Sequence, residues 1–90
     1  MRVDTTDIGM NNAAAIAAAG IEAIRRGDTA FDLSAVRTCD SSAVAVVLAW
    51  QREAQARGGR LRLTGLPPGL PSLATVYGVA PLLGIEDTAA

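Results

Sequence analysis

Ninety residues make one domain, spanning 1–90, and a second is excluded, because a chain this short buries only roughly three-fifths of its unfolded surface even when folded as a single unit. Half of the residues are hydrophobic but only Phe31, Trp50 and Tyr77 are aromatic, so the core is built from Leu, Val, Ile and Ala. A formal net charge of −1, with eight Arg and no Lys, supplies no long-range attraction to nucleic acid or anionic lipid, and the cluster Arg52, Arg57, Arg60 and Arg62 reads as a solvated face.

Along the chain, Arg2 to Ile8 has the β-branched content of an edge strand. Asn11 or Asn12 is placed to cap a helix over Ala13 to Arg26, in which Ile16, Gly20 and Ile24 recur at spacing four and Gly27-Asp28 end the run. The apolar stretch Ala13 to Ile21 is far too short to span a bilayer, and Asp4 and Asp7 ahead of it do not fit a basic signal-peptide leader. Thr29 to Leu33 reads as a short buried strand, followed after a few residues by the clearest helix of the chain. That helix begins at or just after Asp40, whose carboxylate suits an N-cap, and exits at Gly58-Gly59.

On a wheel of about 100° per residue, Val44, Val47, Leu48, Gln51 and Ala54 are assigned to the core face. Val46, Trp50, Glu53 and Arg57 fall on the other. An outward Trp50 is either a rim residue leaning over a neighbouring element or part of a partner surface. Arg60 to Thr64 alternates strictly, with Leu61 and Leu63 inward. Pro67 and Pro68 stop that strand, and a last helix starts near Pro68, repeats through Leu70, Leu73, Ala74 and Tyr77, and closes at Gly78. Val79 to Ile85 reads as an irregular segment and Glu86 to Ala90 as a frayed tail. Helices alternating with strands argue for a mainly parallel sheet with right-handed crossovers.

The chemistry available is narrow. Without His there is no Ser-His triad or His-ligated metal, and the single Cys39 excludes both a thiolate cluster and an internal disulfide, which fits a reducing compartment. Without Lys there is neither a P-loop lysine nor a Schiff base. Asp32 and Asp40 are the carboxylates that can be imagined as a pair, but no substrate pocket is identifiable beside them; no enzyme, cofactor or metal is expected. What remains is Asp40-Ser41-Ser42. It is either a plain helix cap or a set of exposed hydroxyls at the positive end of a helix, serving as a docking or phosphorylation point.

The run FDLSAVRTCDSSAVAVVLAWQREAQARGGRLRLTGLPP resembles the STAS domain: a strand ending in Asp32-Leu33-Ser34, a loop, Asp40-Ser41-Ser42 opening a helix, then Gly58-Gly59 and a strand. The resemblance covers roughly Asn11 to Ile85. It implies an α/β STAS-like fold: a small, mainly parallel or mixed sheet with three to four helices mostly on one face. Two branches are similar. Anti-sigma factor antagonists carry a phosphorylated serine at the position of Ser41 and answer to a kinase. The MlaB branch, which GLPPGLPSLATVYGVAPLL and especially Leu73-Ala74, Tyr77, Gly78 and Val79 resemble more, is a cytoplasmic STAS subunit that binds and regulates the ATPase of a phospholipid-transport ABC system maintaining outer-membrane lipid asymmetry. The resemblance therefore implies partner binding through Asp40, Ser41 and Ser42, with Trp50 beside them, at the inner face of the inner membrane and without membrane insertion. Two features depart from the family pattern. Only ten residues precede Asn11, where the family has an additional strand: either the start is truncated, or the sheet has lost an edge strand, which would expose pairing groups and invite a homodimer. Ala43 stands where the family commonly has Gly, and its methyl group is expected to narrow partner access.

Overall fold

The computed structural model describes residues 1–76, so the readings made for Tyr77, Gly78, Val79 to Ile85 and the tail lie outside the described residues. In chain order the elements are β1 (Asp7–Ile8), α1 (Ala13–Arg25), β2 (Ala30–Asp32), β3 (Thr38–Cys39), α2 (Ser41–Ala56), β4 (Arg62–Thr64) and α3 (Gly69–Val76). The strands pair in parallel, β1 with β3 and β2 with β4. The predicted α/β architecture with parallel strands is thus present, with three helices among the described residues.

Two expectations are corrected in the sheet. The segment Arg2 to Ile8 is not an edge strand: Arg2 bridges Asp32 in parallel, the Val3 N–H donates to the Asp32 carbonyl at 2.9 Å and Arg37 N–H to the Thr6 carbonyl at 2.8 Å. The segment is therefore held by β2 at its start and by β3 at its end. The second correction is β3 itself, at Thr38–Cys39, where only a short loop is expected before α2. Two residues are too few for any alternation to register, and the strand exists because Asp7 and Ile8 pair with Thr38 and Cys39.

The long helices end alike. Gly27 and Gly58 adopt φ of 98° and 81°, and in each case the two residues beyond the cap reach back: Gly27 N–H to Ile24 O and Asp28 N–H to Ala23 O, Gly58 N–H to Gln55 O and Gly59 N–H to Ala54 O. This Schellman arrangement satisfies carbonyls that the helix leaves open. At the start of α1, Asn12 occupies the cap position without a capping side-chain bond. Its side chain instead accepts from Gly9 N–H and donates to the Asp7 carbonyl, both at 2.9 Å, tying the β1–α1 loop together.

Trp50 is the main correction. It is 0% exposed, edge-on to Phe31 with ring centroids 4.9 Å apart and planes at 76°, and its Nε1–H donates to the Ala17 carbonyl of α1 at 3.1 Å. The buried residues of α2 are Ala43, Val44, Val46, Val47, Trp50, Gln51 and Ala54, an arc of about 160° at 100° per residue. The wheel drawn from sequence cut this one arc in two and assigned Trp50 to solvent. The arc is wide because α2 packs against both α1 and α3, so both flanks are covered and Trp50 belongs to the core and to no partner surface.

Gly20 makes that packing possible. A Cβ built there would lie 2.1 Å from Trp50 Nε1 and 2.4 Å from Cε2, so the α1 backbone rests directly on the indole. Gly20→Ala gains about 1 kcal/mol in helix propensity but forces apart two packed elements, and overpacking of this kind costs about 1–3 kcal/mol, occasionally more. The indole is hemmed in by Phe31 and cannot swing away, so the overlap dominates. A net loss of up to about 2 kcal/mol is expected in urea unfolding; a variant more stable than the parent would show that α1 and α2 stand further apart.

β4 is also fixed by a side chain. Buried Gln51 donates from Nε2 to the Leu61 carbonyl at 3.0 Å and accepts from Leu61 N–H at 3.2 Å, as a neighbouring strand would. Leu61 is buried as expected, whereas Leu63 is only half-buried.

Candidate functional site

In a parallel α/β layout the strand C-termini and helix N-termini meet at one end, and here they bring together the β1–α1 loop, Cys39 at the end of β3, and the start of α2. Asp40 is the N-cap, with φ −113° and ψ −168°, an extended conformation any residue adopts. Its Oδ1 accepts from Ser42 N–H at 2.8 Å and from the Ser42 hydroxyl. The hydrogen bond from the Ser42 hydroxyl, followed by that from its backbone N–H, holds the Asp40 carboxyl below its usual range, with a backbone contribution from Met10. Asp40 is thus an anion at neutral pH whose geometry is set locally.

The two serines divide the work. Ser42 is half-buried and turned back onto Asp40. Ser41 is exposed and its hydroxyl has no hydrogen bond within the described residues, so it is the hydroxyl presented outward. Ala43 is 0% exposed; the methyl group expected to narrow partner access points into the core. Trp50 does not join the site, for the reason given above. Asp32 closes β2 with its own turn, Oδ1 accepting from Ser34 N–H at 2.8 Å, which keeps its carboxyl low through the Ser34 hydroxyl and amide. Asp32 and Asp40 are each committed to capping bonds within their own turns, which gives the imagined carboxylate pair no support.

Cys39 beside the cap is half-buried, and burial, followed by the Asp40 charge, pushes its thiol up. It stays protonated and is a poor nucleophile. Among the described residues no group of three or more His, Cys, Asp or Glu could hold a metal ion, and no helix is long and apolar enough to cross a membrane.

One residue of this corner was missed from sequence. Met10, in the loop before α1, is 86% exposed, the large hydrophobic left in solvent among the described residues. The available signal was an unbranched apolar residue set between Gly9 and Asn11-Asn12, outside any periodic run. Its loop touches the cap: a Cβ on Gly9 would lie 3.3 Å from Asp40 Oδ2 and 4.0 Å from Asp7 Oδ2.

A search of curated proteins finds no match to the chain. A family model described as Mlab, STAS domain matches residues 5–84, which takes in β1, every helix described, and the Asp40-Ser41-Ser42 corner. With most of its length and all of its motif positions inside that match, the chain belongs to the MlaB-type STAS domain family.

Proposed function

We propose that this chain is the STAS subunit of an Mla-type phospholipid-transport ABC system, and that it binds and regulates the ATPase subunit through the start of α2. The family is non-catalytic, and its association with transporter components supports the reading. The observation that carries it is the outward Ser41 hydroxyl on a helix start whose cap is fixed by Asp40 and Ser42. Such a corner meets a partner without prior ordering, which lowers the entropy lost on association. The complex places the chain at the cytoplasmic face of the inner membrane and contributes to lipid asymmetry of the outer one.

The test is binding to the purified ATPase subunit. Ser41→Arg puts a long cation at an exposed position, so the circular dichroism melt is expected to be unchanged while affinity falls at least about tenfold, or 1.4 kcal/mol. Unchanged affinity removes Ser41 from the interface. The same exposed hydroxyl favours a second reading, a partner-switching antagonist phosphorylated on Ser41 by an anti-sigma factor kinase. Incubation with kinase and ATP followed by intact-mass measurement separates the two, because one phosphate on Ser41, with no ATPase binding, belongs to the switch alone.

A further inference from the structure

A single apolar side chain in solvent is ordinary on a protein surface, and Met10 needs more than its exposure to matter. Two further observations set it apart. The first is the rigidity of its support. Gly9 N–H donates to Asn12 Oδ1, the Asn12 side-chain amide donates to the Asp7 carbonyl, and the backbone N–H groups of Asn12 and Ala13 both donate to the Gly9 carbonyl at 3.1 and 2.9 Å. Four bonds thus fix the backbone on either side of Met10 and leave its side chain free. The chain uses Asn12 for this closure instead of for capping α1, so a capping bond worth about 1 kcal/mol is forgone in favour of a shaped loop.

The second is position and charge. The loop lies against the Asp40 cap, and the carboxylates of Asp7 and Asp40 flank Gly9. The corner therefore presents an apolar knob with anionic groups beside it. Interfaces are enriched in Met, whose unbranched, polarisable side chain adapts to a socket, and energy concentrates in a few anchored residues surrounded by polar rim contacts.

We infer that Met10 is the apolar anchor of this corner, seating in an apolar socket on the ATPase subunit that is rimmed by basic side chains facing Asp7 and Asp40. The inference rests on the docking reading above and adds the partner's surface chemistry to it. Ser41 marks where the partner approaches, and Met10 supplies most of the apolar contact there.

The experiment titrates the purified ATPase subunit against the full chain and three variants, Met10→Glu, Met10→Leu and Ser41→Arg, with a thermal melt of each. Met10 stands outside the core, so its variants should melt with the parent. Met10→Glu is expected to weaken binding at least about tenfold and Met10→Leu to bind within about threefold of the parent, since the apolar surface is kept. Parent-like binding by Met10→Glu alongside loss by Ser41→Arg would overturn the anchor and leave the docking reading standing. Parent-like binding by both, or no binding by the parent chain, would overturn the two together. Equal loss by Met10→Glu and Met10→Leu would also overturn the anchor, because a role in loop shape, not apolar contact, would then explain it.

Discussion

Trp50→Ala is expected to cost about 3–5 kcal/mol of folding free energy, a large share of the roughly 5–15 kcal/mol typical of a domain. The indole is wholly enclosed and meets elements from both layers, Phe31 of β2 edge-on and the Gly20 backbone of α1. No neighbour is free to fill the space, since Gly20 has no side chain and Phe31 is itself buried. The edge-on ring pair adds about 0.5–1.5 kcal/mol beyond area burial. The Ala17 carbonyl loses the indole N–H but lies within α1, where the helix ladder still serves it. Most of the loss is therefore the cavity. Urea unfolding followed by far-ultraviolet circular dichroism measures it, because the substitution removes the chain's only tryptophan. A loss below about 1 kcal/mol would return the side chain to the surface, as first read from the helical wheel.

Gln51→Met is expected to cost about 2–6 kcal/mol, about 1–3 for each of two buried backbone groups left without a partner. Methionine keeps nearly the same length and volume, so packing changes little and the lost hydrogen bonds dominate. Those bonds, from Leu61 N–H to Gln51 Oε1 and from Gln51 Nε2 to the Leu61 carbonyl, seat the chain for its entry into β4. Hydrogen exchange at the Leu61 amide should accelerate more than at Phe31 across the sheet. Exchange unchanged at Leu61 would mean that water or another group takes over, and that Gln51 is not the clamp.

The sequence made legible those elements whose signals are local. The runs of α1 and α2 carry their own periodicity, Asp40 its own capping chemistry, and Arg60 to Thr64 its own alternation, of which Arg62–Thr64 forms β4. Gln51 also fell on the correct face, although its polar partners lie at Leu61 and no pattern points there. What stayed hidden depends on neighbours. β3 is two residues defined by pairing to β1, and the both-sided pairing of residues 2–8 follows from a fold that brings Asp32 and Thr38 to opposite flanks. Trp50 was misplaced because a helix covered from two sides buries an arc too wide for a two-faced wheel. At the site, Asp40, Ser41 and Ser42 were legible as a cap with hydroxyls behind it, and the structure sorts which serine faces out. Met10 escaped because exposure of a loop residue is settled by what surrounds it, here the closure made by Asn12.

The placement of residues 2–8 between β2 and β3 bears on how the chain assembles as it leaves the ribosome. This stretch is made before its partners and must wait for Asp32 and then for Thr38 and Cys39 before its backbone is matched on either flank, and β2 in turn waits for Arg62 to Thr64. Parallel partners so far apart in synthesis cannot zip up locally, whereas α1 and α2 can form as soon as each is made. The nascent chain therefore carries its helices before its sheet, with unmatched strand backbone exposed in the interval. That interval, more than the finished fold, is when a chaperone or a premature partner has the most to grasp.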